Sequence, residues 1–331
     1  MTLKRSFTKV LILAALLVSF QNGAPVDKSV SPLEATSSPE DTTAFKPRPT
    51  PVTTTTEFNY TVTVDDPQNS LGADRDLILK NLQAACQDWG RYIYGKAPIR
   101  ILVRINNDQA RFSGASRTSV FLKTANGHNV FEDIAPYKLR TGKDPEPRLP
   151  DIYLDINVNF MRQAYWIDPQ PETRTLPVPV GKVDLVTVFA HELGHALGFN
   201  GFLERSTGAV PAHNGISVFD SLMYETNLSG SPVFTGTKTL SAYGSKLPVT
   251  FFTFPDSRTN TYSIAGVNYV ATLHPSQNLT HYGRYTASNE SEKSLQGLMG
   301  GAWLFRADQG LRIRVSNLDA AVLCDIGVPC R

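Results

Sequence analysis

The sequence predicts an α+β fold with a twisted mixed sheet, two long helices, a β- and loop-rich insertion and a C-terminal helix. Three observations carry that prediction. Apolar residues alternate with period two at 58–64 and 98–105, the spacing of half-buried strands. They recur at steps of three and four over 74–92 and 184–199, the spacing of amphipathic helices. Between 202 and 275 only short apolar runs occur, such as Val249 to Phe254 and Val267 to Ala271, separated by turn residues.

Residues 1–24 have the layout of a secretory signal peptide. Lys4, Arg5 and Lys9 form a basic start, Val10 to Phe20 is an apolar run, and Gly23 and Ala24 mark the cleavage region. The run is too short to cross a hydrocarbon layer of about 30 Å as a helix. No other segment is apolar enough, and the C-terminal end carries no hydrophobic tail, so no integral membrane anchor is expected. Residues 25–56 are rich in Pro, Ser and Thr and read as a disordered leader or pro-segment, because such a stretch buries too little apolar surface to offset its chain entropy. Sequons at Asn59, Asn227, Asn278 and Asn289 fit a secreted, extracellular glycoprotein. The net charge of +2, with 19 % charged residues, gives no basis for a nucleic-acid partner.

The remaining residues, 57–331, are expected to fold as one domain, with an N-terminal part to 201 and a C-terminal part from 202. Phe58, Tyr60, Val62 and Val64 mark a strand. Ile78, Leu82, Ala85, Trp89 and Tyr92 mark a helix over about Asp74 to Tyr92, which Gly95 ends. Strands are expected at Pro98 to Ile105, Val120 to Leu122 and Ile152 to Val158. The second long helix spans about Asp184 to Phe199, with Asp184 as N-cap and Gly198 or Gly201 as its stop. A last helix covers about Asn317 to Cys324 after the cap candidate Ser316. Of the three cysteines, Cys324 and Cys330 bracket a turn and can close a small ring. Pairing of Cys86 with either is the alternative.

One pentapeptide carries chemistry. His191-Glu192-Leu193-Gly194-His195 matches H-E-x-x-H. Residues four apart stand one turn apart on a helix, so both imidazoles reach one ion, and zinc is the metal this spacing suits. Glu192 projects to the flank, where it can take a proton from water at that ion. The helical wheel puts Asp184, Val188, His191 and His195 on one face, with the apolar residues opposite. Gly194 and Gly198 are expected to let another backbone approach the metal.

A catalytic zinc needs a third protein ligand and an open position. The residues alone leave that ligand open among His213, His274, His281 and a carboxylate such as Glu225, with His128 a poor candidate in a loop before the helix. Metzincins carry a third His where this chain has Gly201. The segment His191-Glu192-Leu193-Gly194-His195-Ala196-Leu197-Gly198-Phe199, then Thr280-His281-Tyr282, then Leu298-Met299, resembles leishmanolysins and related bacterial secreted peptidases, which place a long insertion before the third His. Asp319-Ala320-Ala321-Val322-Leu323 with Asp325-Ile326-Gly327 resembles their closing segment.

That resemblance implies a metzincin-like zincin fold, with His191, His195 and His281 as metal ligands and Glu192 as general base. It also implies a Met turn at Leu298-Met299, a Zn2+ cofactor and a protein or peptide substrate lying along a sheet edge. Ile152 to Val158 is the run assigned to that edge, and Tyr282 and Tyr285 are candidates for stabilising an oxyanion. The chain is cysteine-poor beside the disulfide-rich protozoan members. The rival reading is a secreted zinc-binding adhesion module without proteolytic activity; the intact Glu192 argues against it, since a structural metal needs no general base.

Overall fold

The computed structural model describes residues 57–105, 107, 113–116, 118–203, 210, 214–224, 233–244, 247–248, 260–264, 267–271, 298–299, 310 and 312–331. The expected signal peptide and leader, 1–56, lie outside them. The fold is mixed α+β, with open mixed sheets. Among the described residues no helix is long and apolar enough to cross a membrane.

The main sheet holds β1 (Tyr60–Asp65), β2 (Ile99–Ile105), β3 (Ser113–Ser116) and β6 (Ile152–Ile156) in the order β1-β2-β6-β3. β1, β2 and β6 run parallel, and β3 closes the order antiparallel to β6. Alternation in β2 does what its sequence predicts: Ile99, Ile101 and Val103 are buried, and Arg100 and Arg104 are not. Arg104 sits directly opposite Asp155 on β6 and grips it through two bonds of 2.7 Å. That charge pair fixes the register of the two strands from the polar face.

β1 and β2 are parallel, so their connection must cross over the sheet. It does so through α1 (Arg75–Gly90), which buries Ile78, Leu82, Ala85 and Trp89 as the periodicity requires. β4 (Ser119–Ala125), β5 (His128–Asp133) and β9 (Gly215–Ser217) form a second sheet. β5 leads into α2 (Ile134–Thr141), which ends at Gly142 in the left-handed conformation. α3 (Val158–Ala164) follows β6, with Asn157 accepting from Phe160 N at 2.9 Å as N-cap. Ile152 to Val158 is therefore a strand of five residues and then a helix start, not one extended run.

β7 (Tyr165–Trp166) pairs with β8 (Val183–Asp184), and β8 opens directly into α4 (Leu185–Ala196). Asp184 is the N-cap, accepting from Thr187 N at 3.1 Å. The same carboxylate binds Arg174 at 2.9 Å, and Arg174 also pairs with Asp88 of α1. Thr187 Oγ1 donates to Ile313 O at 3.1 Å. The start of α4 is thus tied to α1 by buried, charge-assisted bonds and to the segment before the last helix by a buried neutral one. Every one of its twelve residues is buried. Helical periodicity predicts a core face and a separate ligand face for α4. The structure encloses both, because α1, β3 and the Leu298–Met299 turn cover the side that carries the histidines.

α5 (Val218–Ser221), α6 (Thr237–Tyr243) and a pair of short antiparallel sheets belong to the insertion. α7 (Asn317–Asp325) begins with a capping box: Ser316 Oγ accepts from Asp319 N while the Asp319 side chain reaches back to Ser316 N. After it, Cys324 and Cys330 form a disulfide, one of the pairings the sequence leaves open, and Cys86 is a buried free thiol. The chain end is pinned beside α1 by Tyr94 N donating to Pro329 O and Arg331 N to Tyr92 O.

Candidate metal centre

Both histidines of α4 are set by their Nδ1 atoms. His191 Nδ1 donates to Leu298 O at 3.0 Å, and His195 Nδ1 donates to Phe199 O at 2.9 Å. A carbonyl can only accept, so each Nδ1 carries the hydrogen and each Nε2 presents a lone pair when the ring is neutral. Burial pushes both imidazoles down, His195 to about 4 and His191 well below its ordinary value, with the neighbouring His195 adding to the shift. Both rings are therefore neutral at pH 7.

The two Nε2 atoms lie 3.1 Å apart, with ring planes at 90°. Two buried lone pairs that close repel unless a cation lies between them. Zinc bound tetrahedrally at about 2.0–2.1 Å from each nitrogen would set them roughly 3.3 Å apart. The donor set and its spacing fit that ion. Among the described residues no group of three His, Cys, Asp or Glu side chains comes together. His281, the expected third ligand, lies outside the described residues, as do the alternatives His213, His274 and Glu225 and the tyrosines Tyr282 and Tyr285. His128 opens strand β5 rather than lying in a loop. Its Nδ1 meets Asn214 Oδ1 at 2.8 Å in an exposed position.

Helix termination orients His195. Gly198, with φ at +124°, takes a conformation that side chains disfavour. Gly198 N then donates to His195 O and Phe199 N to Gly194 O, the paired bonds of a Schellman stop. That stop turns Phe199 O back toward the imidazole. The two glycines do not admit a backbone, the role expected of them. A Cβ on Gly194 would stand 2.5 Å from Met299 Sδ and 3.1 Å from Trp89 Cζ2, and one on Gly198 would stand 2.3 Å from Ile326 Cδ1. They admit side chains, Met299 and Trp89 at Gly194 and Ile326 at Gly198.

Glu192 is held from the other side. Its Oε2 accepts from Gly114 N at 2.7 Å. A Cβ at 114 would fall 2.4 Å from Glu192 O and 2.6 Å from its Cβ, so only glycine brings β3 this close to α4. Burial raises the Glu192 carboxyl to about 8, and the Gly114 N–H opposes that shift. A cation held by the adjacent imidazoles would favour the ionised form further. The sheet edge assigned to Ile152–Val158 is corrected here. β6 is interior, flanked by β2 and β3, and among the described residues the outer strand beside α4 is β3. Sequence reasoning misses Gly114 because Ser-Gly-Ala-Ser has no apolar alternation. The one available signal is a lone glycine among small residues, which marks close backbone approach.

Two buried carboxylates clamp the chain just after α4. Asn200 Nδ2 donates to Asp133 Oδ2 at 3.0 Å, and Phe202 N donates to Asp220 Oδ2 at 2.7 Å. Burial raises both acids from 3.8 to about 6. A carboxylate raised on folding stabilises most below its unfolded value and loses that contribution as pH climbs through its folded value. Asp220→Asn removes one such titration. Its Tm relative to wild type should rise between pH 3.8 and above about 6. A Tm difference that stays flat across that window, followed by circular dichroism, would show that Asp220 does not titrate there.

The chain matches no protein-family model and has no significant match among curated proteins.

Proposed function

We propose that this chain is a secreted zinc-dependent endopeptidase of metzincin-like architecture, resembling the leishmanolysins. The observation that carries the reading is the pair of buried acceptor nitrogens on His191 and His195, 3.1 Å apart with both Nδ1 atoms committed elsewhere. His281 is proposed to complete the ligand set.

The bound ion would supply a Lewis acid that polarises a carbonyl and acidifies water. Glu192, fixed by Gly114 N, takes the proton of the attacking water and delivers it to the leaving amine. Among the described residues β3 is the outer strand beside Glu192, and a peptide or unfolded protein segment is proposed to lie along it. The Leu298–Met299 turn beneath the histidines supports the metzincin likeness: Leu298 O holds His191, and Met299 fills the space that Gly194 leaves.

The test uses the full secreted protein. Expected are about one zinc per chain and cleavage of a denatured protein that a chelator stops and added zinc restores. His281→Ala should lose the metal. Zinc retained in that variant would displace His281 as third ligand, and zinc retained without cleavage in the wild type would favour a binding module.

A further inference from the structure

We infer that Asp319 is a positioning residue for the metal, acting on His191 through the Leu298–Met299 peptide group; this rests on the zinc reading above. Asp319 is fully buried and far from the motif in sequence. Its Oδ1 accepts from Met299 N at 2.8 Å, and its Oδ2 from Leu298 N at 3.0 Å. The N–H of Met299 and the C=O of Leu298 belong to one planar peptide unit. That same carbonyl accepts from His191 Nδ1 at 3.0 Å.

The chain of contacts therefore runs carboxylate, peptide group, imidazole, metal position. Negative charge at the N–H end polarises the amide and makes its oxygen a stronger acceptor. A stronger acceptor at Nδ1 fixes the tautomer and raises the basicity of Nε2, the effect that a carboxylate bonded directly to a ligating histidine has. Asp319 Oδ2 also accepts from Ser316 N at 2.7 Å and Ser316 Oγ at 2.6 Å. One side chain thus completes the capping box of α7 and holds the Leu298–Met299 turn, so the last helix is fastened to the site through its own cap.

Capping and positioning can be separated by substitution. Asp319→Asn must face one of its N–H donors with an NH2 group, whichever way the amide turns. Asp319→Glu keeps the charge and the Ser-x-x-Glu capping pattern, so it preserves helix initiation, but its extra methylene displaces the carboxylate from the 298–299 peptide. Ser316→Ala weakens the cap and leaves the two turn bonds in place.

The experiment measures zinc affinity by competition with a chromophoric chelator, with circular dichroism reporting folding and the Co2+ absorption spectrum reporting ligand geometry. Asp319→Asn and Asp319→Glu are expected to bind zinc on the order of 10–100-fold more weakly and to shift the cobalt band. Ser316→Ala is expected to bind zinc as wild type does. Wild-type zinc affinity in folded Asp319→Glu would overturn the inference, even if Asp319→Asn fails to fold. A wild-type protein that binds no zinc would instead remove the functional reading beneath it.

Discussion

Replacing Glu192 with Gln should leave zinc in place and lower kcat by on the order of 10²–10⁴. The exchange is nearly isosteric. The amide oxygen of the introduced glutamine can still accept from Gly114 N, so β3 and α4 keep their spacing. What disappears is the ability to take a proton. Because the side chain is buried against β3, no bulk water can substitute for it at the same position. Zinc content and kcat measured on the same preparation decide the matter. A Glu192→Gln protein that cleaves at the wild-type rate would remove Glu192 from the chemistry.

Replacing Gly114 with Ala should destabilise the fold by about 1–3 kcal/mol and lower kcat by roughly 10² while zinc is retained. The new methyl group would meet the Glu192 carbonyl oxygen and Cβ at well under contact distance. Those atoms belong to the helix that carries the ligands, so no rotamer change relieves the clash. β3 must withdraw, and its N–H then leaves the carboxylate. Glu192 loses its anchor at the moment its orientation matters most. Thermal melting, zinc content and kcat separate the effects. Unchanged melting and turnover in the Ala variant would mean that the strand and helix are not in register as described.

The parts of the fold legible in the sequence are those in which local pattern and tertiary environment agree. Asp184 caps α4, and His191 and His195 meet one turn apart, both from spacing alone, while the choice of Gly198 over Gly201 as the stop needs the structure. β2 and α1 announce themselves through strict periodicity. β3 does not, since four small residues hold an edge by backbone bonds and by closeness to a helix rather than by burying side chains. α2 escapes a reading by pattern because Pro136 interrupts it, although proline is tolerated in a first helical turn. Arg174 between Asp88 and Asp184, and Asp319 under Leu298–Met299, join segments far apart in the chain. Pairings of that kind leave no periodic trace. The Ser316-x-x-Asp319 spacing reveals the cap and conceals the second task of the same carboxylate.

Zinc-edge X-ray absorption on the purified secreted protein bears most directly on the centre. The expected first shell is three imidazole nitrogens and one exchangeable oxygen at about 2.0–2.1 Å. A sulfur shell, a closed set of four protein ligands, or no stoichiometric zinc would contradict an open centre built on His191 and His195.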